Sequence, residues 1–301
     1  SINVVEFGTG DKAVKIGGEN VFPLYSFDAA IENAPKVGIE ITDFGMEHEP
    51  ECIKKYYEGC ATLADMARKA ASMEGVDFLS FRMEGGDPNG ANKSTEELIG
   101  ELKEIADAVD LPLVVCGCKN VEKDAELFSK AAEALNGKNA VILSAKEENY
   151  KTVGAAAGLA YKQIVGAESA VDINLAKQLN VLISQLGVDS KSVVMNVGTA
   201  AVGYGFEYVI STMDRVKAAA LQQGDANLQM PIITPVASEA WGVKEAMASE
   251  TDAPEWGSQE ERGIDMEVET AMAVIAAGSN AVILKHPESI KIISGLMKEL
   301  V

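Results

Sequence analysis

Histidine is the scarcest potential metal ligand in this chain of 301 residues, which contains only His48 and His286. Two histidines so far apart cannot form the closely spaced pair typical of a self-contained zinc enzyme. The four cysteines are too few for a disulfide scaffold and lack the spacing that holds an iron–sulfur cluster. We therefore expect no metal ligands in this chain and a location in the reducing cytoplasm.

Positive charge is also scarce, since 26 Lys and Arg residues stand against 46 Asp and Glu residues. The formal net charge of −20 repels phosphate backbones and anionic lipid surfaces, so we expect neither nucleic acid nor a membrane as partner. No long apolar run and no recognisable signal peptide is present. Hydrophobic residues nevertheless make up 47% of the sequence, which is enough for a large buried core.

Short β-branched runs alternate with amphipathic stretches along most of the chain, with a spacing of about 35 residues, the size of one strand–helix unit. Eight parallel strands with alternating helices close most economically as a barrel, so we predict an α/β fold with a single (β/α)₈ TIM barrel. An open doubly wound sheet is the alternative, but no glycine-rich phosphate loop follows the first strand. The predicted strands are Val37–Thr42, Val76–Met83, Leu111–Cys116, Ala140–Leu143, Gln163–Gly166, Ser192–Val197, Pro231–Val236 and Asn280–Lys285.

Helices are predicted between these strands wherever apolar residues recur at helical spacing. The first of them is predicted as one continuous helix from Glu51 to Glu74, which contains Cys52 and Cys60. The others are predicted from Ser94 onward, over Val121–Leu135, Ile173–Leu186, Phe206–Gln223 and Met266–Ala277, and from Pro287 to the end.

Two features lie outside the regular repeat. Val4–Phe7 and Ala13–Ile16 flank a turn that contains glycine, which predicts an N-terminal β-hairpin extension that closes one end of the barrel. We therefore divide the chain into this extension, residues 1–35, and the TIM barrel, residues 36–301. The seventh unit is the longest, and an insertion is predicted near residues 249–262.

Polar and aromatic side chains follow the predicted strands, and in a TIM barrel these loops form the working face. Amides and carboxylates dominate the face and cations are few, so it suits a neutral, hydrogen-bonding ligand such as a pterin or a corrin with amide arms. None of these residues is assigned a catalytic role. The predicted cofactor-facing residues are Asp87, Asn89, Asn92, Asn149, Tyr150, Asp172, Asn174, Asn196, Tyr204 and Trp241.

Several of these residues also have a purely structural interpretation. Asp172 stands where a helix N-cap is expected, and Asp87 lies in a glycine-rich loop where turn residues are common. Cys116 and Cys118, two apart at a strand end, are expected to face the same way, as core residues or as soft ligands. His286 fits either a general base or a structural residue at a helix start. The sequence leaves these alternatives open.

Segments spread from residue 13 to residue 288 carry a resemblance to a known family. They include Ala13–Gly18, Asp87–Asn92, Glu148–Lys151, Asp172–Asn174, Gly203–Gly205, Glu239–Trp241, Glu261–Gly263 and His286–Glu288. In this order they resemble the small, or delta, subunit of the corrinoid iron–sulfur protein of the reductive acetyl-CoA pathway.

This resemblance implies a heterodimer with a large (gamma) subunit that carries both the iron–sulfur cluster and a cobamide-binding domain. The barrel mouth is then expected to face the cobamide, which the two subunits share. The assembly is expected to take a methyl group from a methyltetrahydrofolate methyltransferase and deliver it to acetyl-CoA synthase.

Two alternatives remain beside this carrier function. The barrel itself is a candidate methyltetrahydropterin:corrinoid methyltransferase, with Asp172, Asn174 and Asn196 as the groups that would grip the pterin. An unrelated aldolase-type barrel would need a Schiff-base lysine at a strand end, for which Lys285 is the candidate.

Overall fold

Ten β-strands are present in the computed structural model, which describes residues 1–301. Their bounds are β1 (Val5–Phe7), β2 (Val14–Ile16), β3 (Lys36–Thr42), β4 (Phe78–Arg82), β5 (Leu113–Cys116), β6 (Val141–Ala145), β7 (Ile164–Glu168), β8 (Val193–Asn196), β9 (Ile233–Pro235) and β10 (Ala281–Leu284). β1 and β2 form an antiparallel hairpin, and the other eight strands are parallel in the order β8-β7-β6-β5-β4-β3-β10-β9. A bridge between Met195 and Ile232 joins the two ends of this sheet. The predicted TIM barrel with its N-terminal hairpin is therefore confirmed.

Helices follow the strands on the outside of the barrel. The α-helices are α1 (Glu51–Lys54), α2 (Leu63–Ala71), α3 (Thr95–Ala108), α4 (Val121–Ala134), α5 (Tyr150–Val153), α6 (Ile173–Gln185), α7 (Phe206–Leu221), α8 (Ala237–Ala240), α9 (Lys244–Met247), α10 (Gln259–Ala277) and α11 (Pro287–Leu300). Short 3₁₀ turns cover Gly10–Lys12, Lys55–Tyr57, Glu84–Gly86, Ser190–Ser192, Ala226–Leu228 and Pro254–Trp256, and a π-helical segment, Gly154–Ala160, continues α5.

The prediction of one continuous helix from Glu51 to Glu74 is wrong. The chain leaves the helical conformation after Tyr57, and Gly59 has a φ of +83°, which ends the first segment. Thr62 then starts α2 with a capping box, in which its hydroxyl accepts the Asp65 N–H and the Asp65 carboxylate accepts the Thr62 N–H. Cys60 consequently lies between two helices rather than inside one.

Apolar side chains form two separate clusters. The larger one has 61 buried residues from strands and helices and fills the layer between the barrel wall and the helices. The smaller one has 14 buried residues, drawn only from the hairpin and the barrel strands, and therefore occupies the barrel interior. Alternate residues along each strand enter one cluster or the other, as the pleat of a strand requires.

The hairpin closes the amino-terminal end of the barrel. Val5, Phe7 and Ile16 are fully buried in the interior cluster, and the Phe7 ring meets the Phe78 ring edge-on at 5.5 Å between centroids. Asn139 donates its side-chain amide to the backbone oxygen of Glu6, which fastens the hairpin to the barrel rim. The opposite, carboxyl-terminal end remains open as the mouth.

Candidate functional site

The mouth consists of two adjoining compartments at the carboxyl ends of the strands. The first compartment, about 300 Å³, lies over β5 to β8, and the second, about 410 Å³, lies over β3, β4 and β10. Arg82, Gly117, Lys119 and Ser238 line both, so the compartments meet at these residues. A ligand larger than either compartment would lie across the opening and reach into both.

A buried ion pair forms the floor where the compartments meet. Glu40, from β3, and Arg82, from β4, lie side by side, with Arg82 Nε donating to Glu40 Oε2 at 3.0 Å. The side chains are only 1% and 9% exposed. Burial opposes the charge of Arg82, but Glu40 outweighs it and holds the pKa of the guanidinium above its usual range. The guanidinium of Arg82 therefore stays charged.

Lys285 follows β10 and forms a second ion pair inside the mouth. Its Nζ lies 2.8 Å from Glu49 Oε1, and the side chain is 12% exposed. Burial disfavours the ammonium, but Glu49 and Glu40 together keep the pKa of Lys285 above its ordinary value. A Schiff-base lysine needs the opposite shift, because only the neutral amine attacks a carbonyl. The geometry thus disfavours the aldolase alternative.

The cations at the mouth are all paired with carboxylates. Four Lys and Arg side chains line the two compartments, namely Arg82, Lys119, Lys146 and Lys285. Each is paired with a carboxylate: Lys119 lies 3.0 Å from Glu239, and Lys146 lies 3.5 Å from Glu168. Because every one of these cations is paired within the protein, the mouth offers directed donors and acceptors but no unpaired cation.

A chain of hydrogen bonds runs along one wall of the first compartment. Asn196 Nδ2 donates to Ser144 Oγ at 3.0 Å, and the Ser144 hydroxyl donates to Glu168 Oε2 at 3.1 Å. Asn196 Oδ1 also accepts the Gly198 N–H, so its amide orientation is fixed from both sides. These groups are arranged before any ligand arrives, which lowers the cost of binding a polar molecule.

Cys116 and Cys118 do not face the same way. Cys116 belongs to the barrel interior and lines the first compartment, whereas Cys118 belongs to the outer cluster and lines the second. The strand ends at Cys116, and Lys119 has a φ of +70°, so the alternation of the strand stops there. Cys118 bonds to Asp124, and burial raises the pKa of its thiol to about 12, which makes it a poor nucleophile.

Trp241 lines the second compartment and rests on a buried histidine. His286 is fully buried, and its Nε2 lies 3.0 Å from Glu260 Oε1 while its Nδ1 accepts the Glu288 N–H as the N-cap of α11. Burial lowers the pKa of His286, and Glu260 offsets this only in part. Beneath it, burial raises the pKa of Glu267 to about 6. His286 is thus a structural residue in this arrangement.

The structure brings three of the ten predicted site residues to the compartment walls. Asn196 lines the first compartment, and Asp87 and Trp241 line the second. The remaining seven lie outside both compartments: Asn89, Asn92, Asn149, Tyr150, Asp172, Asn174 and Tyr204.

Most of these seven have local structural contacts or lie at the outer rim. Asp172 caps α6, since its Oδ1 accepts the N–H groups of Asn174 and Leu175. Asn149 is buried and joins the Lys146 N–H to the Val121 carbonyl. Asn89 and Asn92 are exposed on the loop after β4.

Tyr204, the remaining aromatic residue of the rim, is 51% exposed and donates its hydroxyl to Glu245 Oε2 at 2.6 Å. Tyr150, by contrast, is half-buried and packs against the outer core cluster. Some of the predicted residues therefore line the compartments, others hold the local backbone in place, and others lie exposed at the outer edge of the mouth.

The sequence analysis missed the charged residues at the centre of the mouth. Glu40 and Arg82 lie inside predicted strands, although each continues the inward alternation of its strand, as in Phe78, Ser80 and Arg82. The signal that identifies them is a charged residue at a position that the alternation of the strand directs into the barrel.

No group of three or more His, Cys, Asp or Glu side chains is arranged to hold a metal ion. None of the helices is both long and apolar enough to cross a lipid bilayer.

Comparison with known proteins gives one family over nearly the whole chain. Residues 4–297 match the family described as CO dehydrogenase/acetyl-CoA synthase delta subunit. The chain is 30% identical over 300 residues to acetyl-CoA decarbonylase/synthase complex subunit delta 1 of Methanosarcina thermophila, covering 97% of this chain and 67% of that protein. It is 32% identical over 292 residues to subunit delta of the Methanothermobacter thermautotrophicus complex, covering 96% and 73%. The chain thus spans between two thirds and three quarters of the length of these two relatives.

Among solved structures, the fold is similar to that of dihydropteroate synthase. The enzyme from Thermus thermophilus, in complex with 4-aminobenzoate, aligns with a TM-score of 0.56 and 13% identity over 98% of this chain and 100% of that chain. At this identity the likeness concerns the barrel architecture.

Proposed function

Since the chain belongs to the CO dehydrogenase/acetyl-CoA synthase delta subunit family, we propose that it is the small subunit of a heterodimeric corrinoid iron–sulfur methyl carrier. In this proposal the barrel mouth covers a cobamide that the large (gamma) subunit holds together with the iron–sulfur cluster. The names of the relatives, which describe subunits of an acetyl-CoA decarbonylase/synthase complex, support a role within a larger assembly.

The observation that carries the proposal is the matching of charges at the mouth. All four Lys and Arg side chains of the two compartments are paired with carboxylates, so the surface is polar and has no unpaired cation that would attract an anionic group. A cobamide presents neutral amide arms around a flat ring, and such arms need donors and acceptors rather than net charge. The residues present therefore fit this group.

The volumes of the two compartments indicate that the mouth covers a cobamide rather than enclosing it. Neither compartment, at about 300 and 410 Å³, holds a whole corrin ring. The ring would lie across the opening, with its arms directed into the compartments and Trp241 offering flat contact area beside it.

The same groups are poor proton donors. A bound cobamide supplies a strongly nucleophilic cobalt centre that accepts and releases a methyl group, and protons and oxidants destroy that reactivity. The pKa values of Arg82 and Lys285 are raised because of their carboxylate partners, so neither releases a proton readily. The barrel then excludes water from the ligand while exposing it to few acidic groups.

In the complete reaction the carrier takes its methyl group from methyltetrahydrofolate through a separate methyltransferase and passes it to acetyl-CoA synthase. The cover must therefore move aside for each partner.

The test is an anaerobic absorbance measurement on the cobamide-loaded large subunit, with and without this chain. Addition of the chain should slow the loss of the Co(I) band on exposure to air-equilibrated buffer by at least tenfold. A rate of oxidation that is the same with and without the chain would contradict the cover.

Transfer of methyl from a tetrahydropterin to cobalt by the barrel itself is the alternative function. It is favoured by Asn196, which lines the first compartment, while Asp172 and Asn174 lie outside both compartments. Mixing the chain alone with free Co(I) cobamide and methyltetrahydrofolate distinguishes the two. Conversion faster than in the protein-free mixture, and lost in Asn196→Ala, would make the barrel an enzyme.

A further inference from the structure

Arg82 donates only one hydrogen bond to the protein. Its Nε binds Glu40, and neither terminal nitrogen has a hydrogen-bond partner. Neither terminal nitrogen is among the polar atoms that are sealed from solvent without a partner, so both remain accessible. A guanidinium that is anchored at Nε leaves a rigid pair of donors, and such a fork is suited to a flat oxygen acceptor.

The free end of Arg82 lies at the centre of the mouth. Arg82 lines both compartments, and its strand neighbours Ser80 and Phe78 continue below it into the barrel interior. The side chain is 9% exposed, so an acceptor that reaches it must enter the mouth. Glu40 fixes the direction of the fork.

The charges that line the compartments determine which kind of group can accept hydrogen bonds from Arg82. In the first compartment three cations face three carboxylates, and in the second the cations Arg82, Lys119 and Lys285 face Glu40, Glu49, Glu84 and Asp87. A carboxylate or phosphate would therefore gain little from the surrounding field and would lose its hydration. A neutral carbonyl oxygen accepts the same two hydrogen bonds with a smaller desolvation cost.

Acceptors for an N–H group lie in the same compartment. The carboxylate of Glu168 lines the first compartment and is held there by Ser144. Its Oε1 lies 3.5 Å from Lys146 Nζ, and the Glu168 side chain is 26% exposed, so its oxygens remain accessible from the compartment. The compartment thus offers donors for a carbonyl group and acceptors for an amide nitrogen.

We propose that the first compartment is a subsite for a neutral amide group, with the terminal nitrogens of Arg82 donating to the carbonyl oxygen and the Glu168 carboxylate accepting from the nitrogen side. This inference rests on the proposed function, because a cobamide carries such amides on its arms. The cyclic amide of a pterin ring has the same chemistry and is the other source.

The experiment compares wild type with Arg82→Lys, which keeps the positive charge beside Glu40 but removes the fork. Affinity for the large subunit is measured with and without bound cobamide, and binding of tetrahydrofolate to the chain is measured by equilibrium dialysis. Arg68→Lys is the matched control, since Arg68 is an exposed helix residue that pairs with Asp65. Glu168→Gln is a second variant, because it keeps the size of the side chain but replaces one acceptor oxygen of the compartment with a donor group.

If a cobamide arm occupies the subsite, the extra affinity due to bound cobamide falls about tenfold in Arg82→Lys and several-fold in Glu168→Gln. If a pterin occupies it, tetrahydrofolate binding falls by these factors and the cobamide-dependent affinity does not. Unchanged values for both ligands in both variants overturn the subsite but leave the cover intact. Equal affinity of wild type for loaded and empty large subunit would instead contradict the cover itself.

Discussion

The indole of Trp241 lies nearly parallel to the imidazole of His286, with 5.9 Å between ring centroids and 14° between the ring planes. One ring forms part of the wall of the second compartment, and the other is fully buried at the start of α11. Gly263 makes room for this stack, because a Cβ atom there would collide with the indole. The position of the compartment wall therefore depends on Gly263, which itself lines neither compartment.

Replacing His286 with alanine should lower the free energy of unfolding by about 2 to 3 kcal/mol. The change removes the cap of α11, the bond to Glu260 and the stack with Trp241. Urea unfolding followed by circular dichroism gives the difference. The matched control is His48→Ala. His48 is exposed, so the free energy of unfolding of this variant should stay within about 0.5 kcal/mol of wild type. Equal losses in both variants would contradict the structural role of His286.

The contribution of His286 to stability should decrease as the pH falls. Its pKa in the folded protein is below the ordinary 6.5, so the unfolded chain binds the proton first and acid favours unfolding. The comparison is with His286→Asn, which retains a capping side chain but does not titrate. The stability advantage of wild type over this variant should shrink as the pH is lowered through the ordinary histidine range.

Glu267 acts in the opposite direction within this range. Its pKa is raised to about 6, so its ionised form costs stability at high pH, and that cost is relieved as the pH falls toward the ordinary value of 4.5. Because Glu267 is present in both proteins, its contribution cancels in the difference. A stability difference that does not change with pH would show that His286 keeps its ordinary pKa.

Removing one partner of the buried ion pair should cost more than removing both. Glu40→Gln leaves the buried charge of Arg82 without its carboxylate and should destabilise the protein by about 3 kcal/mol. The double variant with Arg82→Gln should recover part of this loss, because no unpaired charge remains. Denaturant unfolding of the two single variants and the double variant closes the cycle. Strictly additive losses would contradict a direct interaction.

Two of the predicted site residues should respond differently to truncation. Asn149→Ala removes the partly buried hydrogen bonds to the Lys146 N–H and the Val121 carbonyl and should cost about 1 to 3 kcal/mol. Tyr204→Phe removes one hydroxyl bond at an exposed position and should change the stability by less than about 1 kcal/mol. Thermal melts of both variants provide the measurement, and the reverse ranking would contradict these placements.

The barrel was predictable because its signal is repeated. Each of the eight strands was placed correctly in order, since buried parallel strands form short apolar runs at regular spacing. The helix predicted over Glu51–Glu74 failed at Gly59, where the apolar spacing continues across a turn. Helical periodicity alone does not reveal such a break, because the residues on both sides still face the same core.

The site was less predictable because a residue's place in a loop does not give its direction. Asp172 and Asn149 stand near strand ends, as expected, but their side chains are used by the nearby backbone. Glu40 and Arg82 determine the floor of the mouth from inside strands. Reading the inward alternation of each strand to its last residue identifies such groups, whereas selecting loop residues does not.

The hairpin at the start of the chain has a consequence for the order of folding. Its apolar side chains belong to one cluster with residues as distant along the chain as Phe78 and Ile283. The hairpin therefore completes its contacts only after the last strand has been made, and contacts of such long range form slowly. Complete packing of the hairpin thus requires that the strands of the interior cluster are all in place. A barrel that lacks one of these strands leaves part of the hairpin without its contacts.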